Sequence, residues 1–288
     1  MKYRFIEREQ GQYSVKQLCE NAGIGRSSYY AWKKRKTSAR DEKNVELMGL
    51  IQLIYKHSRK TYGYPRVYAQ LRKDGEKCNK KRVARLMRVA ELQGQRKSRK
   101  VYTTDSKHDY PVAENLLNRE FEAQKPNEKW VADITYIPTD EGWLYLAGVL
   151  DLYSRRIVGW DMSGKIDAKL VERALRMALY QRQPDRGLLH HSDRGSQYAS
   201  HSIQNILAAN HIQVSMSGKA DCYDNAVMES FFSTLKNEWV HHQRYRSRSQ
   251  ARTDIFDYIE GFYNTVRLHS TLRYLSPAEY EAQYWQTP

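Results

Sequence analysis

Trp130-Val-Ala-Asp-Ile-Thr-Tyr-Ile137 decides the fold of this chain. It is rich in β-branched and aromatic residues and stops at Pro138, which makes it a strand. It also carries Asp133 at its middle, where a charge is costly unless it is paired or holds a metal. Working outward, Thr139-Asp-Glu-Gly142 is a turn and Trp143-Leu-Tyr-Leu-Ala-Gly-Val-Leu150 a second strand. Asp151-Leu-Tyr-Ser-Arg155 turns again, and Arg156-Ile-Val-Gly-Trp160 is a third, so the spacing predicts an antiparallel meander. Residues 168–182 then repeat apolar positions at helical period: Leu170, Val171, Ala174, Leu175, Ala178. Leu188-Leu-His-His191 reads as a short strand, 200–210 as a helix, Ile212-Gln-Val-Ser-Met216 as a last strand, and a further helix opens at Asp224-Asn225.

Three strands, then helix, strand, helix, strand, helix resembles the order of an RNase H-like α/β domain. In that topology the end of the fourth strand lies beside the middle of the first, and the last helix crosses over both. Asp193 follows the fourth strand within His190-His-Ser-Asp-Arg-Gly-Ser-Gln197, and Glu229 lies one turn into the last helix. Asp133, Asp193 and Glu229 are therefore expected to converge. Hard oxygen donors of this kind suit Mg²⁺ or Mn²⁺. Two such ions about 3.5–4 Å apart stabilise the attacking and leaving oxygens of an in-line phosphoryl transfer. Asp151 closes a strand before Ser154-Arg155 and reads as a turn former, and Asp221 and Asp224 as capping or solvated residues. His190 and His191 adjoin Asp193 but lack a second His/Cys pair at zinc spacing. Trp130, Trp143 and Trp160 are expected in the core.

The chain has 288 residues, 48 Lys+Arg against 33 Asp+Glu, a formal charge of +15, and 40% hydrophobic residues. That length predicts two domains, or one core with smaller attachments, and the composition excludes wholesale disorder. Cys19, Cys78 and Cys222 are too few and too far apart for a disulfide scaffold or a Cys-rich zinc module. No apolar run approaches 18 residues and the start carries no signal-peptide pattern, so a cytoplasmic protein with no membrane partner is expected. The charge is segregated. Residues 1–110 hold 28 basic and 11 acidic residues, net +17, whereas the remainder holds 20 and 22, net −2. Such asymmetry points to a polyanionic partner held by the first part of the chain.

Within that part, Ser14–Ala22 places Val15, Leu18, Cys19 and Ala22 on one helix face, Gly23-Ile-Gly25 breaks it, and Ser27–Lys36 resumes a helical pattern. Helix, glycine turn and a second helix ending in cations is a helix-turn-helix layout, with Lys33, Lys34 and Arg35 placed to touch phosphates. A second helical group follows: an apolar helix at 45–55, a turn at Tyr62-Gly-Tyr-Pro65 with Pro65 at the first helical position, and a helix capped by Asn79. Lys80, Lys81, Arg82 and Arg85 interleave there with Val83, Leu86 and Met87, and Arg96, Lys97, Arg99 and Lys100 follow, all expected on DNA. The expected division is 1–42 helix-turn-helix, 43–105 second basic helical domain, 106–125 linker, 126–240 catalytic core and 241–288 helical C-terminal extension.

Several segments together resemble the integrase-type transposases of insertion-sequence family three, the product usually called OrfB. They are Trp130–Tyr136, His191-Ser-Asp-Arg-Gly-Ser-Gln-Tyr198, Ser215–Ala226, Glu229-Ser-Phe-Phe-Ser-Thr-Leu-Lys236, Tyr263–Leu272, Leu275–Tyr280 and, near the start, Tyr62–Val67. The resemblance covers nearly the whole chain. It implies an RNase H-like integrase core flanked by N-terminal all-α DNA-binding domains and a helical C-terminal extension. It implies a DDE triad of Asp133, Asp193 and Glu229, two Mg²⁺ or Mn²⁺ ions, and Lys236 as a contact to the transposon end. Glu229, Ser233 and Lys236 fall at i, i+4 and i+7, on one helix face. Arg267, in the Tyr263–Leu272 segment, is expected to pack beside the DNA. One departure from the family pattern is Gly218, where relatives often carry a basic residue. The activity implied is cleavage and joining of transposon ends in double-stranded DNA, by a homo-oligomer of at least two copies because two ends must be held. Family members commonly act fused to an upstream product, OrfA; this chain begins at Met1 without one, so OrfA is an expected fusion or partner. The alternatives are an RNase H-like nuclease that cuts without joining, and a non-catalytic DNA-binding regulator of transposition.

Overall fold

The computed structural model describes residues 2–34, 38–95, 113–218 and 222–286. The chain divides into two compact units, 1–50 and 51–288.

The first unit is built from short helices: α1 (Lys2–Glu9), α2 (Val15–Ala22), α3 (Arg26–Lys34) and the start of α4 (Ala39–His57). Ser14 caps α2 by accepting from the Gln17 N–H, and Gly23, at φ +64°, closes it by returning its N–H to the Cys19 and Glu20 carbonyls. A left-handed residue is needed there, and glycine adopts that conformation without strain. Ile6, Leu18, Cys19 and Tyr29 form a small core, edged by Tyr3 stacked on Trp32 at 5.3 Å. The helix–turn–helix of α2 and α3 is the layout expected; α1 is an addition to it.

In the second unit, α5 (Tyr64–Lys73) starts after Gly63, which puts Pro65 at the second helical position rather than the first. The side chain of Asn79 accepts from the Lys81 N–H and opens α6 (Lys80–Val89), whose Val83, Leu86 and Met87 are buried. The sheet follows: β1 (Lys129–Ile137), β2 (Leu144–Asp151), β3 (Ile157–Ser163), β4 (Leu189–Ser192) and β5 (Gln213–Met216), in spatial order β3-β2-β1-β4-β5. The first three strands are antiparallel, whereas β4 and β5 run parallel to β1. This is the mixed five-stranded sheet of the expected RNase H-like integrase fold.

Helix α7 (Ala168–Arg182) spans the residues expected of it, and the helix expected at 200–210 is α9 (His201–Ala209); a short α8 (Ser196–Ala199), which was not expected, precedes it across extended Ser200. These helices cover one sheet face, packing Leu170, Ala174, Leu175, Ile203 and Leu207 against Trp130, Ala132, Ala147 and Val149. Contact is so close at Gly159 that an added Cβ would lie 2.3 Å from the Ala174 carbonyl oxygen. Helix α10 (Ala226–Glu238) covers the opposite face at Gly148, where an added Cβ would lie 2.5 Å from the Met228 terminal methyl. Helices α11 (Arg248–Phe256) and α12 (Pro277–Gln286) complete a helical C-terminal part. No described helix is long and apolar enough to cross a membrane.

Long-range polar contacts bind the α5 region to this C-terminal part. Tyr62 accepts from the Leu268 N–H at 2.7 Å and donates to the Val266 carbonyl at 3.1 Å. Arg59 lies 4.7 Å from the Trp239 ring and pairs with Asp257. Helix α12 is held by buried Glu281, which accepts from Arg182 at 2.5 Å.

Candidate active site

Asp133 and Asp193 are brought together by strand register. Strand β4 ends with Ser192 paired to Ala132, so Asp193 leaves the sheet beside Asp133. The Asp133 carboxylate accepts from the Ile134 N–H at 2.8 Å, and that of Asp193 from the Gly195 N–H at 2.9 Å. A Cβ at position 195 would lie 3.0 Å from the Asp193 carboxylate and 2.9 Å from Gln197 Oε1, so glycine keeps that carboxylate uncrowded.

Helix α10 delivers the third carboxylate. Asn225, immediately before it, donates its side-chain amide to the Ala132 carbonyl at 3.0 Å, and Gly148, the register partner of Asp133 on β2, leaves room for Met228. Glu229 follows Met228 and is near enough for its charge to act on the Asp133 carboxyl. Asp133, Asp193, Glu229 and Lys236 are all half-buried. Burial, then the negative charge of Asp193, holds the Asp133 carboxyl well above the ordinary carboxylate range; Glu229 adds to this, and the Ile134 N–H and Lys236 oppose it. Burial lowers the Lys236 ammonium, which the charge of Asp133 partly offsets. Its Nζ sits 4.2 Å from the centre of the Tyr136 ring, a cation–π contact.

Three carboxylates in one field repel one another, and among the described residues no three His, Cys, Asp or Glu side chains are gathered at metal-coordinating spacing. The donor set is nonetheless all oxygen, and a divalent cation would offset the repulsion that Asp193 and Glu229 exert on the Asp133 carboxyl; its chemistry fits Mg²⁺ or Mn²⁺.

The neighbouring polar residues have structural roles. His191 bridges Ser215 Oγ at 2.8 Å and Ser217 Oγ at 3.2 Å, and burial pushes both His190 and His191 down to about 4. Asp151 is fully buried and accepts from the Asn127, Tyr153 and Ser154 N–H groups and the Trp130 indole, the turn former that was expected. Asp224 is buried rather than solvated: it accepts from Arg119 at 3.0 Å, Asn115 at 2.9 Å and the Gly218 N–H at 2.7 Å. Asp221 lies outside the described residues.

Sequence reasoning passed over Tyr198. Its hydroxyl is buried with no hydrogen-bond partner among the described residues, and burial followed by the charges of Asp133 and Asp193 pushes its ionisation well up. Its spacing from Asp193, across one turn of α8, was the available signal.

The expected DNA-contact residues divide three ways. Lys33 and Lys34 are exposed at the end of α3, and Lys80, Lys81 and Arg85 are exposed along α6, with Arg82 half-buried. Arg35, Arg96, Lys97, Arg99 and Lys100 lie outside the described residues. Arg267 is 4% exposed, donates Nε and Nη2 to Glu238 at 2.7 and 2.6 Å and turns Nη1 to His269 Nε2 at 3.3 Å, so it has no surface to offer a phosphate. A second departure is Trp143, expected in the core but 48% exposed; Trp130 is fully buried, and Trp160 half-buried with its indole on Glu260 at 2.7 Å.

Residues 123–222 match the family described as Integrase core domain, 229–284 a second Integrase core domain family, and 42–100 an HTH-like domain family. Among curated proteins, transposase InsF for insertion sequence IS3A of Escherichia coli (strain K12) is 42% identical over 98% of this chain and 98% of its own. A 31 kDa uncharacterized protein of insertion element IS600 of Shigella sonnei is 43% identical over 93% of this chain and 99% of its own. Among solved structures, the HTLV-2 integrase catalytic core domain in complex with magnesium covers 56% of this chain and 99% of its own at 15% identity and a TM-score of 0.43. A simian T-cell lymphotropic virus intasome structure covers 83% of this chain and 75% of its own at 11% identity and a TM-score of 0.47. With identity above 40% over nearly its full length to the InsF transposases, and an integrase core where the sheet stands, the chain belongs to the IS3 family of insertion-sequence transposases.

Proposed function

We propose that this chain binds the ends of its insertion sequence and catalyses both strand cleavage and strand transfer, with Asp133, Asp193 and Glu229 as the carboxylates that hold two divalent ions. The observation that carries this reading is the register that ends β4 at Ser192 beside Ala132, next to Asp133, with Asn225 tying the start of the Glu229 helix to the Ala132 carbonyl at 3.0 Å. Mg²⁺ or Mn²⁺, when bound, supplies activation of the attacking oxygen and stabilisation of the leaving one.

The chain's own residues do the rest. Asp133 is fixed in a strand, Asp193 by the Gly195 N–H and Glu229 by the seating of α10, so the three donors are preorganised. Lys236, on the Glu229 side of its helix, holds a phosphate of the strand passing the carboxylates. Lys80, Lys81 and Arg85 on α6, and separately Lys33 and Lys34 on α3, neutralise other phosphates of the DNA, contacts that do not read bases. Two ends must be held together, so the working species is at least a dimer on double-stranded DNA, in the cytoplasm, with an upstream OrfA product as fusion or partner.

The test is a Mn²⁺ assay on the DNA that flanks this reading frame, with labelled 3′-hydroxyl ends. Joined products are expected. Cleavage without any joined product would make the chain a nuclease, and metal-independent binding without cleavage would make it a regulator.

A further inference from the structure

The hairpin turn between β1 and β2 ends on Trp143, whose indole is 48% exposed. An exposed tryptophan usually belongs to a mobile surface, but this one is pinned. The Asp140 N–H donates to the Tyr245 carbonyl at 2.9 Å, the Arg248 N–H donates to Glu141 at 2.8 Å, and Arg248 Nε donates to the Trp143 carbonyl at 3.0 Å. The indole meets the Tyr136 ring edge-on, with centroids 4.9 Å apart and planes at 77°. The ring of Tyr136 in turn carries the Lys236 ammonium at 4.2 Å. Tyr136 lies three residues beyond Asp133 on β1, roughly 10 Å at the rise of a strand, or about three nucleotide steps of a stacked DNA strand. Beyond Ala132, β4 no longer pairs with β1.

An exposed ring packed edge-on against a second ring that carries a cation brings together the two features that bind single-stranded nucleic acid, an aromatic face for the base and a charge for the phosphate. We propose that Trp143, Tyr136 and Lys236 form a stacking site for an unpaired nucleobase of the strand held at the carboxylates. The proposal rests on the active-site reading above. It gives the exposed indole a ligand class, and gives Lys236 a neighbour that orients the strand as well as neutralising it. Stacking is tolerant of base identity, so the site serves any sequence at that position.

The test is a binding measurement that needs no turnover. The full-length Asp133→Asn protein is titrated by fluorescence anisotropy with a 30-base-pair duplex bearing a three-nucleotide 3′ overhang, and with the same duplex whose overhang is abasic. The intact overhang is expected to bind about tenfold more tightly, the size of one good base–aromatic stack. Adding Trp143→Leu should abolish that preference, and adding Trp143→Phe should keep most of it. Equal binding of the two probes, or an unchanged preference in the leucine variant, overturns the site. Because Trp143→Phe keeps a ring on the same backbone, loss of binding to both probes in both variants would mean a structural role and would also overturn it. The wild-type Mn²⁺ cleavage assay is read separately: cleavage without base preference sinks the stacking site alone, whereas base preference without cleavage sinks the catalytic reading alone.

Discussion

The Asn225 side-chain amide donates to the Ala132 carbonyl across 3.0 Å, which stitches the helix carrying Glu229 to the strand carrying Asp133. Both residues are buried, and Ala132 immediately precedes Asp133. Removing the amide by Asn225→Ala leaves a buried carbonyl without that donor, a loss of about 1–3 kcal/mol. Denaturant unfolding should show that loss, and strand transfer should fall further than end binding. Equal losses in binding and transfer would mean that the contact serves the fold and not the alignment of the carboxylates.

Gly148→Ala tests the seating of α10 from the other side. The new methyl would meet the Met228 terminal methyl at 2.5 Å, so the helix must shift or Met228 must change rotamer. Overpacking of this kind costs about 1–3 kcal/mol. The double variant Gly148→Ala/Met228→Ala removes the clash and should recover part of the cleavage lost in the single variant. No recovery would place the fault elsewhere in the sheet.

Arg267 and the α6 cations should separate cleanly. Glu238 and Arg267 have side chains only 10% and 5% exposed, and Glu238 also pairs with Arg66 at 3.2 Å. Arg267→Ala removes the main partner of a buried carboxylate, leaving it Arg66 alone among the described cations, and should destabilise the protein by about 1–3 kcal/mol, seen as a lower unfolding midpoint. By contrast, Lys81→Ala should leave stability nearly unchanged and reduce the salt dependence of DNA binding by about one unit of slope. A reduced salt slope in a still-folded Arg267 variant would return that residue to the DNA surface.

Acid should destabilise the core through His190. Burial lowers its pKa to about 4, whereas an unfolded histidine titrates near 6.5. Between those values the unfolded chain binds the proton and the folded one does not, so stability falls as pH drops from about 6.5 towards 4. For His190 the loss from pH 6.5 to 5 is on the order of 2 kcal/mol. His190→Phe should flatten part of the stability profile measured by urea unfolding between pH 7 and 5. A profile identical to the wild type would mean that His190 is protonated in the folded protein.

The sheet was legible because its strands are punctuated locally: Pro138 ends β1, Gly142 turns the hairpin, and the apolar period of 168–182 yields α7 with its expected bounds. Asp133 and Asp193 could be paired only through the resemblance to an RNase H-like strand order, in which a parallel β4 beside β1 puts its end at that point. What escaped depended on distant partners. Arg267 reads as a surface cation until Glu238, far away in sequence, is seen to bury it. Trp143 reads as core because large aromatics usually are, but it sits where a pinned turn leaves the sheet. Asp224 reads as a cap until Arg119 and Asn115 fold back upon it. Helix α1 was missed because its buried contacts, centred on Ile6, lie in α2 and α3 rather than in its own pattern.

The central claim is that Asp133 serves the chemistry and not the grip on DNA. Its most direct test is strand transfer from a pre-cleaved transposon end by Asp133→Asn protein in Mn²⁺, with end binding measured on the same preparation. The account expects end binding close to wild type and no joined product. Joined product from the Asp133→Asn protein would contradict it.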